Sequence, residues 1–310
     1  MNLKGIGIVL GIWILILSNL NAMKPLTGYP CLPSDFGVIY REVTFKTDDG
    51  VNLKGWFYPA QDTSGIANEI IGRMISVPES LKRKPREYVC SKEKKPTIII
   101  SGGDAGNMAF SIFYAYHYFT RGYNVFTFDW RGFGESDPWN IPEDQLCCTE
   151  FLTDYQAAID FVKIQPEVHP QKIGVMGFST GAYLSFAMAA MRDDVSAYIG
   201  RALITTIEDL IDNLDAIDSE RNFVAPRDYP QDLMPLMAAQ NVTIPVFLVV
   251  GENDARTPPW MTKAVFHGLS GPRWIWIVPE AEHGGPKGPE MVSYPSFFEN
   301  TLSFLDQYLK

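Results

Sequence analysis

Gly177-Phe178-Ser179-Thr180-Gly181 follows the apolar run 173–176 and leads into a helical pattern over 181–191. A serine on a tight turn between a buried strand and a helix stands with its Oγ exposed at the C-terminal edge of a sheet. The glycines two residues to either side leave space where side chains would collide with the neighbouring strand and helix. In another setting the same five residues would be a helix N-cap serine after a glycine turn, so the strand before and the helix after decide the reading.

Outward from this turn, six short continuous apolar runs, 97–100, 125–128, 173–176, 202–205, 246–250 and 274–278, have the character of strands buried on both faces of a parallel sheet. Helical patterns lie between and after them, over 109–121, 142–164, 181–191, 259–269 and 296–308. Strand alternating with helix predicts an α/β fold: right-handed βαβ units and a mostly parallel, twisted sheet with helices on both faces. Ahead of them, 38–45 and 51–58 flank Asp48-Asp49-Gly50 and read as an antiparallel hairpin, since Asp-Gly tolerates the positive φ such turns need. The stretch of about 60–95 is polar and irregular, carries Lys82, Arg83, Lys84 and Arg86, and reads as a surface insertion with one helix over 66–75.

Composition narrows the function. Of 310 residues, 46% are apolar and 20% charged, which is ordinary globular usage. The net charge of −10 disfavours a nucleic-acid partner and points to a neutral or cationic small ligand. Four cysteines without C-x-x-C spacing, and the lack of G-x-G-x-x-G or a G-K-[ST] ending, lead us to expect no metal and no cofactor. Residues 6–20 are apolar apart from Ser18 and Asn19 and follow Lys4. A basic start before about 15 apolar residues predicts a signal peptide or, if uncleaved, an N-terminal membrane anchor within residues 1–22. The expected location is periplasmic or extracellular, with membrane association if the segment is retained. Residues 23–310 then form one domain, with the insertion and a small cap at about 206–243 containing helices over 207–217 and 230–240.

A serine hydroxyl becomes a nucleophile only with a base, and the base needs an orienting acid. Of the four histidines, His117 sits in an aromatic helical stretch, His267 near a helix end, and His169 ahead of the nucleophile strand at the opposite edge. His283 follows the last strand and reaches the edge that carries Ser179. Asp254, in the loop after 246–250, is the acid placed to accept its Nδ1–H. Glu252 and Glu282 are alternatives, but one lies close to the strand end and the other adjoins the histidine. The expected catalytic set is Ser179, Asp254 and His283. Backbone N–H groups must hold the developing oxyanion. Thr180 supplies one; the loop Ser101-Gly102-Gly103-Asp104-Ala105-Gly106-Asn107 supplies the other, from Asp104 with Gly103 as competitor.

With these motifs the chain resembles the α/β-hydrolase superfamily from about residue 38 to 310. Within it the chain is most similar to the serine aminopeptidase group and to membrane-associated, depalmitoylase-like serine hydrolases. The likeness rests on residues 102–107 against H-G-N-A-G-N, residues 128–136 against D-[YW]-R-G-[YF]-G-x-S, and Gly251, Asp254 and Pro258 against G-x-x-D-x-x-x-P. It implies a serine hydrolase that cleaves a carboxylic ester or acyl thioester through an acyl-enzyme. A short peptide with a free amino end is the alternative substrate, and a non-catalytic binding protein the alternative role. Gly102 replaces the usual histidine, and Asp104 puts a carboxylate beside the oxyanion loop, where it either points away or meets a cationic substrate group. Phe223, Met234 and Met237 suggest an open apolar acyl pocket in the cap. In an exported chain Cys31 has Cys90, Cys147 or Cys148 as candidate disulfide partners, while adjacent Cys147 and Cys148 would not join each other.

Overall fold

Ile98, Ile99 and Ile100 are all buried, and they feed two different cores: Ile99 faces one, Ile98 and Ile100 the other. Alternation with no exposed face is what a β-branched run at the centre of a covered sheet produces. The computed structural model describes residues 22–67, 71, 77–218 and 222–310. The expected targeting segment, apart from Ala22, and most of the helix expected over 66–75 lie outside them.

Among the described residues the sheet has eight strands: β1 (Arg41–Lys46), β2 (Asn52–Tyr58), β3 (Lys95–Ser101), β4 (Asn124–Phe128), β5 (Val168–Phe178), β6 (Ala197–Arg201), β7 (Val246–Gly251) and β8 (Arg273–Val278). Their order is β1-β2-β4-β3-β5-β6-β7-β8. β1 pairs antiparallel with β2 and β2 with β4, and the remaining pairs are parallel. Among the described residues eight α-helices follow in chain order: α1 (Ile112–Phe119), α2 (Phe151–Lys163), α3 (Thr180–Met191), α4 (Ile207–Ile217), α5 (Pro235–Ala238), α6 (Pro259–Gly268), α7 (Pro289–Val292) and α8 (Ser296–Leu309). Residues of α2 and α3 share one core with Phe45, Phe126 and Val175; residues of α1 and α8 share the other with Met176, Ile199 and Val249. This is the α/β-hydrolase arrangement. None of the described helices is long and apolar enough to cross a membrane.

Several elements depart from the pattern reading. The strand expected over 202–205 is β6, which ends at Arg201, because Ala202 takes φ 61° and turns the chain off the sheet. Leu203 and Ile204 are still fully buried, so burial without a strand produced the apolar run. The helix expected from residue 142 begins at Phe151. Residues 142–150 instead form a loop whose Glu143, Asp144 and Leu146 carbonyls accept bonds from Ala22 N–H, Val224 N–H and the Tyr183 hydroxyl. The helix expected over 230–240 breaks into the short helix α5 and flanking 3-10 turns, with Pro235 at its first position. All four cysteines are unpaired. Cys31, Cys147 and Cys148 are buried and pack as small apolar groups, and Cys90 is exposed. Burial pushes the Cys31 and Cys148 thiols up to about 12.

Two networks hold the elements that surround Ser179. Fully buried Arg131 donates from Nε to Asp154 and from both Nη atoms to Asp49 in the β1–β2 turn. Asp129 accepts from the Met108 amide at 2.7 Å and from the Tyr29 hydroxyl at 2.8 Å. Residues 128–136 are thus scaffold: they lock the hairpin, α2 and the N-terminal arm together. That arm runs along the oxyanion loop, with Lys24 and Pro25 paired parallel to Ala105 and Gly106. Its Lys24 amide donates to the Asp104 carbonyl and its Leu26 amide to that of Gly106.

Candidate active site

Ser179 sits between the end of β5 and the start of α3 with φ 52° and ψ −115°. Positive φ is costly for a serine and is sustained here by packing on all sides. A Cβ on Gly177 would stand 2.2 Å from the Gly181 carbonyl oxygen, and one on Gly181 would stand 2.2 Å from that of Gly102. Only glycine fits either place. The Ser179 amide donates to the Arg201 carbonyl, and the Gly181 amide donates to the Gly102 carbonyl, so the turn is stitched to both neighbouring strand ends.

The topology delivers the partners. β5, β7 and β8 run parallel, so the loops after them emerge at one edge. The Ser179 hydroxyl donates to His283 Nε2 at 3.2 Å. On the far side of the ring Nδ1–H donates to Asp254 Oδ2 at 2.9 Å, with Oδ1 at 3.1 Å. Asp254 is buried, and it accepts further bonds from the amides of Arg256 and Thr257 and from the Thr257 hydroxyl. Burial alone would raise its carboxyl. The bond from His283, the electrostatic pull of its Nδ1–H and the Thr257 donors outweigh that and hold it below the usual range. Asp254 therefore stays ionised beside His283.

Glu252 and Glu282, the alternative acids, are engaged elsewhere: Glu252 accepts from the Glu280 amide and Glu282 pairs with Lys287. His117 is stacked 3.6 Å from the Phe298 ring, and burial pushes it down to about 4. His169 lies at the start of β5 and His267 at the end of α6. In the loop after β3, a Cβ on Gly103 would lie 3.5 Å from Ser179 Cβ, so this loop passes directly over Ser179. Among the described residues no acceptor takes the amides of Gly103 or Asp104. The Asp104 side chain does not point free: Oδ2 accepts from Arg256 Nη2 at 2.5 Å. The cationic partner anticipated from a substrate is supplied by the chain itself.

Four contributors escaped the sequence reading. Thr257 anchors Asp254, and Arg256 anchors Asp104. Arg201 and Glu290 form a buried ion pair at 2.5 Å beneath the His283 loop. The Arg201 guanidinium lies 3.6 Å from the centre of the Phe178 ring and donates to the His283 carbonyl at 3.4 Å, while Tyr114 donates to Glu290 at 2.7 Å. An arginine closing the buried run Ala197-Tyr198-Ile199-Gly200 was the available signal. The cap residues Phe223 and Met234 are buried in a core shared with Leu210 and Leu214 and serve packing; Met237 is exposed. Surface hollows of about 430 and 340 Å³ open beside Trp139 and Cys148 and beside Phe45 and Gln156, away from Ser179. Among the described residues no group of three or more His, Cys, Asp or Glu could hold a metal ion.

The profile of the prolyl oligopeptidase family matches residues 108–310. The uncharacterized protein YfhR of Escherichia coli O157:H7 is 26% identical over 252 residues, covering 78% of this chain and 72% of its own. The fold is similar to that of the Pyrococcus furiosus esterase Pf2001, with a TM-score of 0.64 at 17% identity over 93% of this chain and 100% of that one. It is also similar to the Pyrococcus horikoshii acylaminoacyl peptidase, with a TM-score of 0.61 at 19% identity over 88% of this chain and 42% of that one.

Proposed function

The chain belongs to the prolyl oligopeptidase family of serine hydrolases with the α/β-hydrolase fold, and we propose that it cleaves carboxylic esters or acyl thioesters through an acyl-enzyme on Ser179. The observation that carries this reading is the single imidazole, His283, bonded to Ser179 on one side and to buried Asp254 on the other. Ser179 Oγ attacks the acyl carbon while His283 Nε2 takes its proton. Asp254 holds the tautomer and stabilises the imidazolium. The Thr180 and Asp104 amides, with Gly103 as the competitor for the second place, hold the oxyanion. Collapse expels the alcohol or thiol, protonated by His283. Water, deprotonated by the same nitrogen, then attacks the acyl-enzyme and releases the carboxylic acid. No step calls on a metal or cofactor.

Ester or thioester cleavage is favoured over aminopeptidase action because the one carboxylate in the oxyanion loop, Asp104, is already paired with Arg256 and offers little to a peptide's α-ammonium. A fluorophosphonate probe tests the nucleophile: it should label the wild type and not Ser179→Ala. p-Nitrophenyl esters of rising chain length should be turned over faster than aminoacyl p-nitroanilides, and the reverse order would overturn the substrate assignment. Export, and membrane anchoring if the leader is retained, is a proposal that rests on residues 1–22 alone. The mass of the mature N-terminus tests it, since an intact Met1 in the membrane fraction excludes cleavage near Ala22.

A further inference from the structure

Asp104 stands at an unusual place for a carboxylate. It follows Gly103, which packs against Ser179 and the Phe178 ring, and its own amide is the candidate oxyanion donor. Its carbonyl is fixed by the Lys24 amide at 2.7 Å, so its side chain leaves a main chain that cannot drift. An acyl group derived from an α-amino acid would carry its ammonium on the carbon next to the one Ser179 attacks, within reach of this loop. A net charge of −10 also draws cations toward the molecule. Without some local opposition, the site would favour ammonium-bearing substrates.

Arg256 provides that opposition. Its main chain is set by the catalytic acid, because the Arg256 amide donates to Asp254 Oδ1 at 3.0 Å. Its guanidinium crosses from the acid loop to the oxyanion loop and meets Asp104 Oδ2. The two side chains are only 27% and 18% exposed, so the pair is partly withdrawn from solvent and is screened less than a surface pair. A carboxylate so engaged is neutralised for a second cation, and the guanidinium itself repels one. We propose that Arg256 is a specificity-determining residue which, by occupying the Asp104 carboxylate, turns the site away from acyl groups bearing an α-ammonium and toward neutral ones. This rests on the reading of Ser179 as the acyl-accepting nucleophile.

The test compares two p-nitrophenyl esters of nearly equal shape, the alanine ester and the isobutyrate ester, which differ by an ammonium in place of a methyl. The quantity read is the ratio of their kcat/KM values, corrected for spontaneous hydrolysis; using one enzyme for both cancels any loss of oxyanion stabilisation common to both. Arg256→Gln should raise the alanine-to-isobutyrate ratio about tenfold, the scale of one partly shielded charge contact. Asp104→Asn combined with Arg256→Gln should bring the ratio back to within about twofold of wild type, as removal of both charges requires. Asp104→Asn alone leaves the guanidinium uncovered and should lower the ratio, which gives an independent readout if Arg256→Gln does not fold. An unchanged ratio in Arg256→Gln with fluorophosphonate labelling intact overturns the proposal while leaving the hydrolase reading standing, and so does a raised ratio that persists in the double variant. Failure of the wild type to label overturns both.

Discussion

Glu290→Gln removes one charge from the buried ion pair beneath the His283 loop. The Arg201 and Glu290 side chains are 3% and 6% exposed and meet at 2.5 Å. Arg201 has no other carboxylate partner among the described residues. It faces the Phe178 ring, the His283 carbonyl and the Tyr114 hydroxyl, and its Nε is unpartnered. With charge centres about 4 Å apart and an effective dielectric near 20, the pair is worth about 4 kcal/mol. That agrees with the roughly 3–5 kcal/mol lost when one member of a buried pair is removed. Set against a total stability of about 5–15 kcal/mol, this is a large share. Glutamine keeps an acceptor for the Tyr114 hydroxyl but turns its amide N–H2 toward Arg201, so the loss combines the uncompensated cation with its missing charged bond. Urea unfolding followed by tryptophan fluorescence should show a lower midpoint at unchanged slope. Arg201→Met combined with Glu290→Gln should recover more than half of the loss, because no lone charge is left inside. A single variant within about 1 kcal/mol of wild type, or a double variant less stable than the single, would refute the account of Arg201 as a buried cation neutralised by Glu290.

Further outcomes follow from other groups. Burial pushes the Asp129 carboxyl from 3.8 to about 7, so the native state holds a proton that the unfolded chain has already released, and stability falls as pH rises between those values. Asp129→Asn is neutral at every pH. It should gain on wild type by about 3 kcal/mol between pH 5 and pH 8 in paired urea titrations, and a constant gap would show that the carboxyl is not desolvated. Gly181→Ala puts a methyl 2.2 Å from the Gly102 carbonyl, which should cost about 1–3 kcal/mol of stability and displace the oxyanion loop. Its fluorophosphonate labelling rate should fall more than about tenfold, on the scale of one misplaced oxyanion donor, and wild-type labelling would contradict the close approach.

The residues brought together at the candidate site were readable because one rule places them all. Ser179, Asp254 and His283 each follow the C-terminal end of a parallel strand, and parallel strands send those ends to one edge. What could not be read was whatever depends on distant pairing. Asp104 and Arg256 are 152 residues apart, Arg201 and Glu290 are 89 apart, and no local pattern joins the members of either pair. The misplaced β6 has a different cause: Ala202-Leu203-Ile204 and the strand before it are equally buried, and only the positive φ of Ala202 separates turn from strand. The free cysteines show that oxidising surroundings, even if present, would find Cys31 buried and Cys90 exposed.

The arm that runs along the oxyanion loop also shapes the order in which the molecule can assemble. It precedes every strand of the sheet in the chain, yet Leu26 waits 81 residues for Asn107 and Tyr29 waits 100 for Asp129, while Ser179 waits 104 for His283. Loops of that length close at a similar entropic cost, and each must close before its contact repays it. The oxyanion loop therefore settles only once the arm before it and the Arg256 loop far after it have both come back to it.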